Sequence, residues 1–139
     1  MTQSHLLACL LAASPVGCGP SQPVLVPTAP HGGTLVRFPD GKGFIELLRQ
    51  DTPTSASQSV VVAYYLDPER KPLTPMPASA ALKLKGARKG TLELKPTGDA
   101  DPAQAGGLVT PPFDTPGGIE GTLTATLAGK PVAVPISLR

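Results

Sequence analysis

Apolar and polar residues alternate with a period of two along most of the chain after residue 30, between short clusters of glycine and proline. This period is typical of β-strands with one face in a core, because successive side chains of a strand point to opposite faces. The pattern predicts strands at residues 33–38, 44–50, 58–66, 79–85, 91–95, 107–113, 119–127 and 132–138. We therefore expect an all-β domain: a single antiparallel β-sandwich of seven or eight short strands, immunoglobulin-like in size.

Three of these strands carry signals of their position in the sheet. Residues 58–66 are apolar on both faces, which predicts a central strand covered from both sides. Pro111 and Pro112 have no backbone donor, so 107–113 is expected at an edge. Pro135 predicts that the last strand also lies at an edge or is bulged there.

A different pattern opens the chain. An apolar run from Leu6 to Ala13 is followed by small residues at 14–17 and then by Cys18. The run is too short for a membrane-spanning helix, which needs about 20 residues, but its length suits the hydrophobic region of a secretory signal. With a cysteine next, the segment resembles a bacterial lipoprotein signal peptide, in which the mature N-terminal cysteine carries lipid. We expect a signal peptide at 1–17 and lipidation of Cys18, which would anchor the chain in the bacterial cell envelope, facing the periplasm or the exterior.

Two features of this signal leave alternatives open. No lysine or arginine precedes the apolar run, although signal peptides usually begin with positive charge. Pro15 stands three residues before Cys18, where lipoprotein signals usually carry an aliphatic residue. Ordinary secretion and a cytoplasmic protein are therefore the competing interpretations, and a misassigned start codon would explain the missing charge.

Residues 18–30 are rich in proline and predict a tether between the anchor and the domain at 31–139. Closely spaced prolines favour the extended polyproline II conformation, which rises about 3.1 Å per residue. A segment of this length could hold the domain ~35 Å from a membrane. An ordinary unstructured N-terminal segment would have the same composition.

Cysteine and histidine content limits the chemistry of the domain. Cys9 lies inside the apolar run, so cleavage before Cys18 leaves one cysteine, which excludes a structural disulfide and a cysteine zinc site. His31 is then the only histidine, and its place beside two glycines is poor for a general base. No Gly-x-Ser-x-Gly elbow, His-Glu-x-x-His helix or phosphate-binding glycine loop occurs. We expect no enzymatic activity, no catalytic residue and no cofactor.

Positive charge is concentrated between residues 70 and 95, where Glu93 is the only acid. A possible contact patch comprises Lys83, Lys85, Arg88, Lys89 and Lys95. Such a patch predicts contact with anionic headgroups, a polysaccharide or an acidic protein. The alternative is that these side chains are the solvent face of a hairpin and protect it from aggregation. Nucleic acid is not expected as a partner, because no aromatic residues are interleaved with the charges.

Several short motifs carry a resemblance to a known group of proteins. They are Pro30-His31-Gly32-Gly33-Thr34-Leu35-Val36, the Asp40-Gly41 turn, Phe44-Ile45-Glu46-Leu47, Tyr64-Tyr65-Leu66-Asp67 and Lys71-Pro72-Leu73. In this order they resemble small bacterial envelope proteins, mostly uncharacterised lipoproteins, and a module near the start of some heavy-metal efflux adaptor proteins. The resemblance covers residues 31 to about 94.

The same resemblance implies a candidate metal site. In that group a His-Gly-Gly opening is often followed by a second histidine beside the glutamate of strand two, which this chain lacks next to Glu46. His31 and Glu46 would supply two ligands if the first hairpin brings them together, whereas tight copper and zinc sites need three or four. Met76, between two prolines, could add a thioether for Cu(I). The alternatives are a packing role for Met76 and a solvent-facing or ion-paired Glu46.

Two functions remain in view. The favoured one is a non-enzymatic, lipid-anchored accessory domain that contacts an unidentified envelope protein or polymer through a sheet face or a loop end. The other is a periplasmic copper- or zinc-handling domain related to efflux adaptors, with a weakly bound metal ion at His31, Glu46 and Met76.

Overall fold

The computed structural model describes residues 28–86, 90–97, 104–115 and 117–139. The predicted signal peptide, Cys18 and most of the tether lie outside these ranges, as do Arg88 and Lys89. Within them the chain forms nine β-strands and no α-helix: β1 (Thr34–Arg37), β2 (Phe44–Thr52), β3 (Ser55–Leu66), β4 (Ala80–Leu84), β5 (Gly90–Pro96), β6 (Leu108–Val109), β7 (Phe113–Asp114), β8 (Ile119–Leu127) and β9 (Lys130–Leu138). None of the described residues belongs to a helix long and apolar enough to cross a membrane.

The strands confirm the predicted all-β, antiparallel fold. Hydrogen bonding connects them in the order β1-β2-β3-β6-β5-β4-β8-β9, and the short β7 pairs separately with β3. Every pairing is antiparallel. β1 and β9, at the two ends of this order, contact each other. The sheet is therefore nearly closed and packs its two halves face to face, intermediate between a sandwich and a barrel.

The main core lies between the two halves. It is built mostly from aliphatic side chains that alternate along the strands with residues of the opposite face, as in Leu82 of β4 and Leu123 of β8, which stand opposite each other. The largest of its fully buried members are Ile45, Leu47, Val61, Tyr65, Leu82, Leu94, Leu108, Leu123 and Val134. Burial of each such side chain contributes roughly 1.5–3 kcal/mol.

Strand β3 is central, as predicted from its apolar faces. Its residues Val61, Ala63 and Tyr65 face the main core. The alternating residues Val60, Val62, Tyr64 and Leu66 form a second buried group, the outer cluster, on the opposite face. Both faces are covered because β2 contributes partly buried side chains to the outer cluster, and because Gly107, next to β6, lies against Val62 and Tyr64.

The proline signals were right for one strand and wrong for another. β9, which contains Pro135, pairs with β8 and ends the strand order, so it is an edge strand as predicted. The predicted edge strand at 107–113 is instead two short strands, and β6 lies between β3 and β5. Pro111 and Pro112 fall in the gap between β6 and β7, where no ladder needs their missing donors.

Candidate functional site

A buried carboxylate fastens the start of the domain to the sheet. Glu46 lies on β2 between two core-facing residues, and its side chain has no exposed surface. Its Oε1 accepts hydrogen bonds from the backbone N–H groups of His31, at 2.7 Å, and Gly33, at 2.9 Å. Its Oε2 lies 2.7 Å from His31 Nδ1. Burial of a charged carboxylate is tolerated when donors replace water, and three protein donors do so here.

The His31 ring is held by a second contact. It stacks on the ring of Tyr64, with the centroids 3.8 Å apart and the planes 8° from parallel. Tyr64 stands directly opposite Glu46 in the β2–β3 register, so one face of the sheet supplies both supports. An ionised carboxylate only accepts hydrogen bonds, so Nδ1 carries the proton. In the neutral ring Nε2 is then an acceptor, on a side chain that is 38% exposed.

The two glycines after His31 serve different purposes. Gly32 has a φ of +79°, which side-chain-bearing residues rarely adopt, and its N–H donates to the Ala29 carbonyl in a tight turn. A Cβ on Gly33 would lie 2.5 Å from the Leu47 carbonyl oxygen and 2.7 Å from Leu48 Cδ1. The His-Gly-Gly motif therefore combines a turn with the close approach that lets Gly33 reach Glu46.

This geometry gives the predicted metal ligands unequal roles. Both oxygens of Glu46 are occupied by protein donors, so the carboxylate orients His31 in the way that outer-sphere carboxylates orient metal-binding histidines. Among the described residues nothing bonds to Nε2 of His31, so Nε2 is the ligand atom of the pair that remains open. Within the described ranges, no group of three or more histidine, cysteine, aspartate or glutamate residues lies together.

Met76 lies in a different part of the fold from His31 and Glu46. Its side chain is partly buried and packs against the main core, whereas His31 stacks on Tyr64 of the outer cluster. The structure thus favours the packing alternative for Met76. It does not bring the thioether to the carboxylate–imidazole pair.

The predicted basic patch divides between two places. Lys83 is exposed on β4 opposite Thr91 of β5, and Lys95 lies four residues further along β5, about 13 Å away at the strand rise. Lys95 lies 3.5 Å from the Glu93 carboxylate, so its charge has a partner. Lys83 and Lys85 lie together at the other end of the hairpin. Arg88 and Lys89 are outside the described residues.

Arg49 is a charged residue that the sequence reasoning overlooked. It shares its strand face with the core residues Ile45 and Leu47, and an arginine on an apolar face was the available signal. Its Nε donates to Ser59 Oγ at 3.2 Å, and its Nη1 donates to the Gly117 carbonyl at 2.9 Å. Nη2 donates to both the carbonyl and the hydroxyl of Thr115, each at 2.9 Å. These bonds tie β2 to the segment before β8.

The hydroxyls beside Arg49 form a directed chain. Ser59 Oγ donates to Asp51 Oδ1 at 2.9 Å, and Thr115 Oγ1 lies 2.8 Å from Ser59 Oγ. Since the Ser59 proton goes to Asp51, the Thr115 hydroxyl donates to Ser59 and accepts from Arg49. Every oxygen that accepts directly from the Arg49 guanidinium is therefore neutral. The carboxylate of this network, that of Asp51, is connected to Arg49 only through the Ser59 hydroxyl.

Arg49, Lys85 and Arg139 line one open cleft, which we name the cationic cleft. Its other lining residues are Gly117, Gly118, Glu120, Ser137 and Leu138. The side chains of the lining thus include three cations and one carboxylate, that of Glu120. None of the three forms an ion pair with another described residue. The residues of the cleft are up to 90 positions apart in the chain. The run of positive charge between residues 70 and 95 therefore pointed to only one of the three cations, Lys85.

Comparison of the chain with family models, with curated proteins and with solved structures finds no match.

Proposed function

We propose that this chain is a non-enzymatic, lipid-anchored protein of the bacterial envelope whose β domain binds an anionic envelope component in the cationic cleft. The anchor is the cysteine at position 18, at the end of a lipoprotein-like signal. The observation that carries the binding role is the set of three cations at one cleft, of which Arg49 is held by neutral acceptors only.

The charges of the cleft support this role through their geometry. A guanidinium bound to neutral oxygens keeps its full positive charge, and four hydrogen bonds hold it in one place. Lys85 adds an exposed ammonium group, and its backbone N–H donates to the Glu120 carbonyl at 2.9 Å, which fixes the edge of the cleft. A concentration of one sign of charge in a concave site raises the local concentration of an oppositely charged partner.

The anchor is tested by lipid labelling in a bacterial host. Full-length protein and the Cys18→Ser variant are expressed with a labelled fatty acid in the medium. We expect label on the wild type and none on the variant. If neither protein is labelled, the membrane-anchored part of the proposal fails.

The anion-binding role is tested separately, on the Cys18→Ser chain so that an anchor does not obscure it. Sedimentation with phosphatidylglycerol vesicles and retention on dextran sulfate are compared with phosphatidylcholine vesicles and neutral dextran. We expect binding to one or both anionic probes, at least ten-fold weaker in Lys85→Glu/Arg139→Glu and weaker at high salt because screening shortens the range of the charges.

The matched control is Lys71→Glu/Lys95→Glu, which makes the same change of charge at two exposed lysines within 4 Å of a glutamate. It is expected to retain most of the binding. Equal losses in the two double variants would mean that overall charge and not the cleft is responsible, and the role assigned to the cleft would be abandoned.

A metal-handling function is the second candidate, and one specific observation favours it. Glu46 holds the protonated Nδ1 of His31, so Nε2 is the ring nitrogen left to bind a metal, on a side chain that is 38% exposed. A single imidazole binds weakly, so further ligands would have to come from a second molecule.

Copper titration distinguishes the second candidate. Under this hypothesis Cu(II) binds the wild-type protein, and the affinity falls at least ten-fold in His31→Ala. Glu46→Gln should weaken the site as well, because it removes the group that orients the ring. Equal affinities of wild type and His31→Ala would eliminate this function.

A further inference from the structure

A second cleft lies at the opposite end of the β8–β9 hairpin from the cationic cleft, about 27 Å away at the strand rise. Its volume is about 530 Å³, within the range of roughly 300–1,000 Å³ that small-molecule sites occupy. The β1–β2 turn, the loop after β3 and the β8–β9 turn border it. The larger apolar residues of its lining include Phe38, Pro39, Leu73, Pro75, Leu127 and Val132. We name it the apolar cleft.

The floor of the apolar cleft is the outer surface of the packed core. Phe38 is buried, and Leu73, Leu127 and Val132 are partly buried against the main core cluster. The ring of Phe38 also contacts the Tyr65 ring, with centroids 6.3 Å apart. Such side chains are held in place by packing, so the apolar surface is already shaped in the absence of a ligand.

Two ammonium groups border this apolar surface. Lys42, from the β1–β2 turn, and Lys130, from the start of β9, are exposed and line the cleft. Neither forms an ion pair with another described residue. The one acid of the lining, Asp40, is engaged within its own turn, where Oδ1 accepts from the Lys42 backbone N–H at 2.8 Å.

The β8–β9 turn also departs from the usual residue preference at this cleft. Leu127 pairs with Lys130, so the turn consists of Ala128 and Gly129, with φ of +51° and +77°. Two-residue turns with positive φ favour asparagine, aspartate or glycine at the first position. Alanine is strained there, but its methyl group adds to the cleft lining without a polar atom.

We propose that the apolar cleft binds a fatty acid, a single unbranched alkyl chain that ends in a carboxylate. The apolar floor removes the alkyl chain from water, and the favourable free energy of this transfer is proportional to the apolar area that is covered. The lysine rim supplies the charge that complements the carboxylate. Small-molecule sites combine this kind of mostly apolar lining with a few polar groups that set orientation.

Calorimetric titration of the full-length Cys18→Ser protein with laurate, below its micellar concentration, tests the proposal. Dodecyltrimethylammonium has the same chain with a cationic head, and acetate has the same head without the chain. We expect laurate to bind at least ten-fold more tightly than either. Lys42→Glu/Lys130→Glu should lose at least ten-fold in laurate affinity, while the charge-matched control Lys71→Glu/Lys95→Glu should keep it.

A separate variant tests the apolar wall. Ala133 lines the cleft on an exposed position of β9, so Ala133→Glu introduces a carboxylate without altering a core residue. We expect it to abolish laurate binding with an unchanged circular dichroism spectrum. Lys130→Gln replaces the double variant if the latter does not fold.

Three results would overturn the proposal. The first is no laurate binding at millimolar concentration. The second is equal binding of the anionic and cationic probes, or an equal loss in the control variant. The third is self-association of the protein that Ala133→Glu abolishes and laurate does not affect, which would make the cleft an interface between copies of the chain.

Discussion

His31 Nδ1 and Glu46 Oε2 lie 2.7 Å apart across fifteen residues of sequence. The same carboxylate accepts the backbone N–H groups of His31 and Gly33. This pair therefore joins the first described turn of the domain to its second strand. The contribution of these hydrogen bonds should be measurable as a change in the free energy of unfolding. A buried donor that loses its acceptor destabilises the protein by more than the hydrogen bond itself contributed.

We predict that Glu46→Ala lowers the free energy of unfolding by roughly 2–3 kcal/mol, because two backbone donors and the imidazole lose their acceptor. Glu46→Gln should cost less, since its amide oxygen still accepts from the backbone. Urea unfolding followed by circular dichroism measures both. Glu93→Ala, on an exposed strand position, is the control and should change the stability by less than about 0.5 kcal/mol. Equal effects of Glu46→Ala and the control would contradict the bonding role.

Gly33→Ala is predicted to destabilise the domain through crowding. The added methyl group would lie 2.5 Å from a backbone oxygen of β2, which cannot move without disturbing the strand. Overpacking of this kind costs roughly 1–3 kcal/mol. Gly90→Ala is the matched control, because a Cβ at Gly90 meets nothing within 4 Å. Thermal unfolding of both variants measures the difference, and equal melting temperatures would show that β1 can shift to make room.

Tyr65→Phe is predicted to stabilise the protein at neutral pH. The Tyr65 hydroxyl is buried in the main core and has no hydrogen-bond partner among the described residues. An unsatisfied buried polar group costs roughly 1–3 kcal/mol, and phenylalanine removes it while keeping the ring. We expect a gain of about 1 kcal/mol in urea unfolding. A loss of stability would show that the hydroxyl has a partner after all.

The same substitution should alter the alkaline pH dependence of stability. Burial raises the pKa of Tyr65 above its ordinary value of 10.0. The unfolded chain therefore ionises first, and the contribution of Tyr65 to stability is present below pH 10 and is lost as the pH rises above it. The difference in the free energy of unfolding between Tyr65→Phe and the wild type should therefore increase above pH 10, by up to about 1.4 kcal/mol per pH unit. Unfolding curves from pH 9 to 11 measure it, and parallel curves would contradict the prediction.

The local pattern was sufficient for the class of fold and for most strand positions. Alternation along β4, β8 and β9 follows directly from the sequence, because a strand places successive side chains on opposite faces and one face must be apolar. The apolar residues on both faces of 58–66 likewise identified β3 as central. The edge position predicted from Pro135 was correct, whereas the edge strand predicted at 107–113 was wrong. A missing donor has the same sequence signature in an edge strand as in a break between two short strands.

Sequence alone determined that the chain is all-β, and it selected His31 and Glu46 as a candidate pair. Tertiary structure decided what the pair does, since only the folding of β2 against the His-Gly-Gly turn reveals that every Glu46 oxygen is already bonded. It also decided which charges meet. Arg49, Lys85 and Arg139 are far apart in sequence and converge because Arg49 bonds to the segment before β8, while the start of β8 pairs with the ends of β4 and β9. Side-chain periodicity is a local property that can be read along a strand, whereas a cleft depends on long-range strand pairing, which the local pattern does not specify.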